Sequence, residues 1–173
     1  MEGVGARDGE FQDVLTEQHL RVFGAILHQF AQYELTIQRA IAGLLRIDLS
    51  AIVLLTRDLD FLQKRSALLD LLRNRQVPND IWDSVFAYLA VPTGRAPLRE
   101  QIIHATWKMS PEPKSIQPNW ILRIPRGIEP AYGQLTTDDT SYSLDLLHEI
   151  AANLVEGHKQ FTSFLLQCEF IGR

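Results

Sequence analysis

The sequence predicts an all-α antiparallel helical bundle with an irregular hairpin-like insertion before its last helix. Two long amphipathic stripes and one proline-rich interruption are the observations that predict it. Between residues 12 and 46, Phe23, Leu27, Phe30, Glu34, Ile37, Ile41 and Leu44 fall in alternating steps of four and three, the spacing of one helical face turned to a core, with Glu34 its one polar member. Leu144, Leu147, Ala151, Leu154, His158, Phe161, Leu165 and Cys168 repeat the pattern near the other end. Between Ser110 and Thr140 the chain is instead rich in proline and turn residues, and "WILRI" is its one convincing strand.

The elements follow in order. Residues 1–11 read as a flexible N-terminus and 12–170 as one helical domain, with the insertion at about 110–140. After the first helix, Asp48 or Ser50 can cap a second helical region by accepting a backbone N–H, and this region breaks near Thr56. Leu55, Leu59, Leu62, Leu69 and Leu72 form its expected apolar face. Pro78 suits the first turn of a third helix, where its missing N–H is not needed. "VPTGRAP" then reads as a connector, and Pro97 as the start of a short separate helix through Trp107, which places Arg99 near a helix N-terminus. Ser141 or Ser143 caps the last helix.

Composition narrows the function classes. Apolar residues make up 46% and charged residues 22%, ordinary globular proportions that indicate neither disorder nor a fibrous chain. The start lacks the basic head and apolar run of a signal peptide, and no stretch approaches the roughly 20 apolar residues a bilayer span needs. A cytoplasmic protein without membrane association is expected. With Cys168 the only cysteine, an internal disulfide and a cysteine-built zinc site are excluded. The net charge of −4 excludes a general polycation, yet residues 57–126 hold 11 Lys/Arg against 7 Asp/Glu while the rest holds 6 against 14. No glycine-rich phosphate loop is present.

Two residues interrupt the stripes. Glu34 falls on the apolar face of the first helix, where an ionised carboxylate is costly unless paired, so it needs a partner. That pairing is either a buried ion pair or an acidic group orienting a catalytic cation, with Arg99 and His104 as candidates. His158 interrupts the last stripe and reads as a hydrogen-bonded core histidine, since imidazole can stay neutral.

"PLREQIIHATW", residues 97–107, brings a permanent cation and an imidazole together. Five residues of helix rotate Arg99 and His104 apart by roughly 140° and separate them by roughly 7.5 Å, so they can flank a groove. Guanidinium grips phosphate oxygens, and imidazole exchanges protons near neutral pH. Together they suit metal-independent cleavage of an RNA phosphodiester, with no cofactor required. Arg95, Lys108, Lys114, Arg123 and Arg126 supply surrounding positive charge that can guide RNA.

The motif Arg99, Glu100, His104, with Trp107 in the following aromatic place, resembles that of the HEPN superfamily, in which Arg and a polar residue precede a His by a short gap. The long first helix with Glu34 in midcourse, and "SYSLDLLHEIAANLVEGHKQFTSFL" closing the domain, are similar to the corresponding helices of bacterial HEPN proteins. The resemblance spans about residues 15–168. It implies an endoribonuclease acting as a homodimer, two motifs facing each other in a composite site, in the manner of toxins of toxin–antitoxin or antiviral defence systems with an antitoxin or other protein partner. His104 would then be the general acid/base and Arg99 the phosphate and transition-state ligand, with Glu34 or Glu100 orienting them. Glu100 departs from the Asn most common at its place. The alternative is a noncatalytic HEPN-like interaction or sensor module, which the acidic net charge and Glu100 favour.

Overall fold

The computed structural model describes residues 14–123, 134–136 and 140–170, with side chains described for 14–119 and 140–170. Its elements are α1 (Glu17–Leu45), α2 (Leu49–Leu55), α3 (Phe61–Asn74), α4 (Asn79–His104), β1 (Ala105–Met109), β2 (Ser115–Arg123), β3 (Gln134–Thr136), β4 (Tyr142–Ser143) and α5 (Leu144–Gln167). The chain is therefore mainly α but not all-α, because a small antiparallel sheet stands where an irregular insertion is expected. β2 is its centre, pairing with β1, β3 and β4. Only part of this was readable as "WILRI". β1 and the start of β2 do alternate, but β1 follows α4 without a turn and so reads as a continuation of the helix, while Pro118 and the register shift between Thr106 and Trp107 interrupt the pairing.

Local chemistry sets most helix ends. The Thr16 hydroxyl accepts from the His19 N–H while the His19 ring receives the Thr16 N–H, closing a capping box at α1. Arg46 stops α1 in the left-handed conformation. Asp48, Asp60 and Ser143 cap α2, α3 and α5 with their side-chain oxygens. Pro78 is the N-cap of α4, one position before the expected first turn.

Direction is less uniform than an antiparallel bundle. Gln38 of α1 bonds Thr56, and further back along α1 Phe30 meets Phe61, so α2 doubles back along its predecessor. Phe30 with Phe61 and Glu34 with Lys64 then rise together, so α1 and α3 run in the same sense. α3 and α4 are antiparallel, with Arg73 at Trp82 and Arg65 at Phe86. The doubling back shifts the helical phase at residues 56–60. Ile52, Phe61, Lys64, Leu68, Leu69 and Leu72 face inward as a result, whereas Leu55 and Leu62, expected on the apolar face, are exposed.

The core is continuous. Ile26, Phe30, Tyr33 and Ile37 of α1 pack with Leu68 and Leu72 of α3, Val85 and Leu89 of α4, and Leu147, Leu154 and Phe161 of α5. His158 is half-buried, its Nε2 2.9 Å from the Thr36 hydroxyl and 3.3 Å from that of Thr162, the hydrogen-bonded state expected of it.

The largest departure from expectation lies in α4. It runs unbroken through Pro92 and Pro97, so "VPTGRAP" is not a connector and no separate short helix begins at Pro97. Each proline removes an N–H and crowds the preceding turn, a cost of about 3 kcal/mol in a helix interior. Packing overrides that cost, because Leu89, Pro92, Ala96 and Leu98 are all buried along this stretch.

Candidate functional site

The continuity of α4 relocates the Arg/His pair. Arg99 lies in the last turns of a 26-residue helix rather than near an N-terminus, and His104 is its final residue. Trp107 is not helical: it lies on β1 and packs its ring 4.8 Å from that of Phe23 and 6.1 Å from that of Tyr142. Behind it, the Tyr142 hydroxyl donates to buried Gln101 over 2.8 Å. These contacts fix the helix-to-strand junction that carries His104.

Four of the predicted residues form one chain of charge. Glu34 projects from α1 to contact Lys64 Nζ through Oε2, while its Oε1 stands 3.8 Å from Arg99 Nη2. Arg99 Nη1 contacts Glu100 Oε1, and the other oxygen of Glu100 lies 3.6 Å from His104 Nε2. Side-chain exposure rises along this path, from 7% at Lys64 through 18% at Glu34 and 26% at Arg99 to about half at Glu100 and His104. The buried end is a fixed anchor, and the motif is its outlet to solvent.

The partner Glu34 requires is therefore double: Lys64 from α3 and Arg99 from α4. Lys64 was not foreseen. Its signal is present in the sequence, since Phe61, Lys64, Leu68 and Leu72 form a helical stripe that a lysine interrupts as Glu34 interrupts α1. Reading Leu62 in place of Phe61 into the face hides it.

Glu100 is the link between the two motif residues. Five residues apart on α4, Arg99 and His104 do not meet directly, but a single carboxylate reaches both, one oxygen to each. A phosphate offers two oxygens in a similar arrangement. Arg99 and His104 thus share one anionic neighbour, the Glu100 carboxylate.

The expected RNA-guiding residues are placed as follows. Arg95 is exposed and lines a separate groove between α4 and α5 with Gly94 and Glu156. Lys108 is exposed on β1 and Lys114 lies in the β1–β2 turn. Arg123 ends β2 with its side chain outside the described residues, and Arg126 lies outside them altogether. Among the described residues, no three His, Cys, Asp or Glu side chains assemble as metal ligands, and no helix is long and apolar enough to cross a membrane.

A cavity of about 580 Å³ opens beside Arg99, between the first turn of α3 and the second half of α4. Burial elsewhere depresses the pKa of His158 and of His19, and raises those of Tyr33 and Cys168, by disfavouring each charged form. Comparison with protein-family models, curated proteins and solved structures gives no match to this chain.

Proposed function

We infer that the protein is a metal-independent endoribonuclease of HEPN type, acting as a homodimer in the manner of toxin and defence nucleases. The observation that supports this reading is the Glu100 carboxylate, one oxygen at Arg99 and the other 3.6 Å from His104 Nε2: a permanent cation and a proton-exchanging ring both lie within reach of one anionic group, as they would have to for a phosphate.

The chemistry is transesterification. One imidazole removes the proton from the 2′-OH as its oxygen attacks phosphorus, and the bond to the 5′-oxygen breaks as that oxygen receives a proton. The products are a 2′,3′-cyclic phosphate and a free 5′-OH. In a dimer with facing motifs, the two His104 side chains divide the two proton transfers. Arg99 offsets charge on the phosphoryl oxygens, and Glu34, held by Lys64, keeps the guanidinium in place. The substrate phosphate must displace Glu100 to enter. Exposed Val53, Leu54 and Leu55 on α2 supply apolar surface suited to association.

A second reading has its own observation. Arg99 is already flanked by two carboxylates, Glu34 and Glu100, as a cation in a structural ion network would be. In that case the module binds partners and cleaves nothing.

The test is incubation of wild type and His104→Ala with single-stranded and structured RNAs in EDTA, with analysis of product ends. Wild-type cleavage leaving 2′,3′-cyclic phosphate, absent in a variant of unchanged helical circular dichroism, is the expected result. Equal cleavage by both proteins rejects His104 as the acid/base, and no cleavage by either favours the noncatalytic module.

A further inference from the structure

We propose that α2 and the turns at its two ends form the face on which a second copy of this chain docks, the two α2 helices crossing antiparallel about a two-fold axis. The proposal deepens the homodimer reading by assigning the face that makes the dimer. It rests on the ribonuclease reading only for the consequence at the motif, not for the association itself.

A helix that is apolar all round belongs in an interior. Leu49, Ile52, Val53, Leu54 and Leu55 surround α2 in this way, yet Ile52 is its only buried residue. Leu54 at 64% and Leu55 at 72% are the two most exposed large hydrophobic residues among those described. Exposed Leu45 and Ile47 precede α2, and exposed Leu62 follows it in the first turn of α3. With Val53, these six residues expose the equivalent of about three whole aliphatic residues, a patch on the order of 500 Å² and at the upper end of what a monomer leaves uncovered. One side of a standard protein interface buries about 800 Å², a little over half of it apolar. The patch matches that apolar share.

The charges at the rim select the occupant. Arg46 and Asp48 stand before α2, Arg57 and Asp58 after it, all at exposed positions. Their sum is zero, so the rim draws neither a polyanion nor a polycation. Their order fits an inverted copy of itself. Outward from the helix, an anion and then a cation occur at one end, Asp48 and Arg46, and a cation and then an anion at the other, Arg57 and Asp58. Antiparallel crossing sets Asp48 against Arg57 of the second copy and Arg46 against its Asp58, whereas parallel crossing opposes like charges throughout. Asp48 caps Ser50 through Oδ1 alone and Asp58 meets Arg57 through Oδ2 alone, so each carboxylate retains a second oxygen.

The face adjoins the motif. Thr56, which ends α2, receives a hydrogen bond from Gln38, about one helical turn beyond Glu34 on α1. Leu62 lines the cavity that Arg99 and Glu100 also line. A copy seated on α2 therefore lies next to the charge chain, and by symmetry both motifs border one interface.

The experiment is sedimentation velocity of the full-length protein over a micromolar concentration series. Wild type is expected at twice the chain mass. Leu54→Glu and Leu55→Glu, at exposed positions that the fold tolerates, are expected to sediment as monomers with unchanged helical circular dichroism. Leu20→Glu, at an exposed apolar position near the opposite end of α1, is expected to remain dimeric. Asp58→Arg is expected to weaken association at least tenfold, and Arg46→Asp in the same chain to restore it to within threefold of wild type. A monomeric wild type, a dimer unchanged in folded Leu54→Glu and Leu55→Glu, dissociation by Leu20→Glu, or no recovery in the charge-swapped chain would overturn the proposal. Association through α2 in a protein that cuts no RNA supports the interface and removes the nuclease reading, whereas cleavage by a wild type that sediments as a monomer does the reverse.

Discussion

At the residue scale, Lys64 and Glu100 act in opposite ways on one charge chain. Lys64 is buried and its nearest anion is Glu34, so removing its charge leaves a carboxylate in the interior with only Arg99, 3.8 Å away, as its counterion. Breaking a buried pair costs about 3–5 kcal/mol when nothing replaces the lost partner. With Arg99 still present, Lys64→Met is expected to lower unfolding free energy by about 2–3 kcal/mol, read from urea denaturation, and Glu34→Leu in the same chain to recover much of that loss. Glu100 is half-exposed and competes for the edge of Arg99 that a phosphate would use. Glu100→Gln is therefore expected to tighten inorganic phosphate or RNA binding several-fold, measured by titration at fixed ionic strength. Unchanged affinity would show that Arg99 is held for structural reasons. The sequence made Glu34 conspicuous because it broke a strong stripe; Lys64 escaped notice because the phase of α3 depends on a break five residues long.

At the scale of the element, close contact between α1 and α5 is decided by a glycine. A Cβ at Gly157 would stand 2.6 Å from the Tyr33 hydroxyl oxygen, and Tyr33 is completely buried, so neither helix can yield cheaply. That oxygen has no hydrogen-bond partner among the described residues. Gly157→Ala is expected to cost about 1–3 kcal/mol through overpacking, and Tyr33→Phe in the same chain to restore most of it, both read by thermal or urea unfolding. Gly24 provides the contrast: nothing lies within 4 Å of its Cβ position, so Gly24→Ala is expected to stabilise α1 by about 0.5–1 kcal/mol. Opposite signs for the same substitution separate packing from helix propensity. α4 teaches the converse lesson. Pro92 and Pro97 argue locally for a helix end, yet four buried residues along the same stretch hold it helical.

At the scale of the whole molecule, buried His19 and half-buried His158 tie stability to pH. Burial depresses the folded-state pKa of His158, helped by Arg39 and His28 and opposed by its bond to the Gln32 backbone, and burial depresses that of His19 as well. A depressed pKa means the unfolded chain binds more protons, so stability from these groups is fully present above the ordinary value of 6.5 and is lost as pH falls through it toward the folded values. Thermal unfolding is expected to shift to lower temperature between pH 7.5 and pH 5, with a shallower slope in His158→Gln. Asp48 is also depressed, by the Ser50 hydroxyl first and the Ser50 backbone second, but it titrates below its ordinary 3.8 and so falls outside this window.

By itself the sequence determined the mainly helical class, the approximate extents of the first and last helices and a strand in the insertion, and it narrowed two helix caps to Asp48 or Ser50 and to Ser141 or Ser143. These follow from periodicity and from hydrogen bonds within a few residues, both of which a linear chain displays. Only the tertiary structure decided that α2 doubles back, that α4 continues through two prolines, that Trp107 lies on a strand, and that Lys64, Glu34, Arg99, Glu100 and His104 form one chain of charge from core to surface. Glu34 and Lys64 are 30 residues apart, and the choice between helix and turn at Pro97 depends on the side chains buried around it. Such interactions are set by which surfaces meet in three dimensions, and a local pattern holds no record of them.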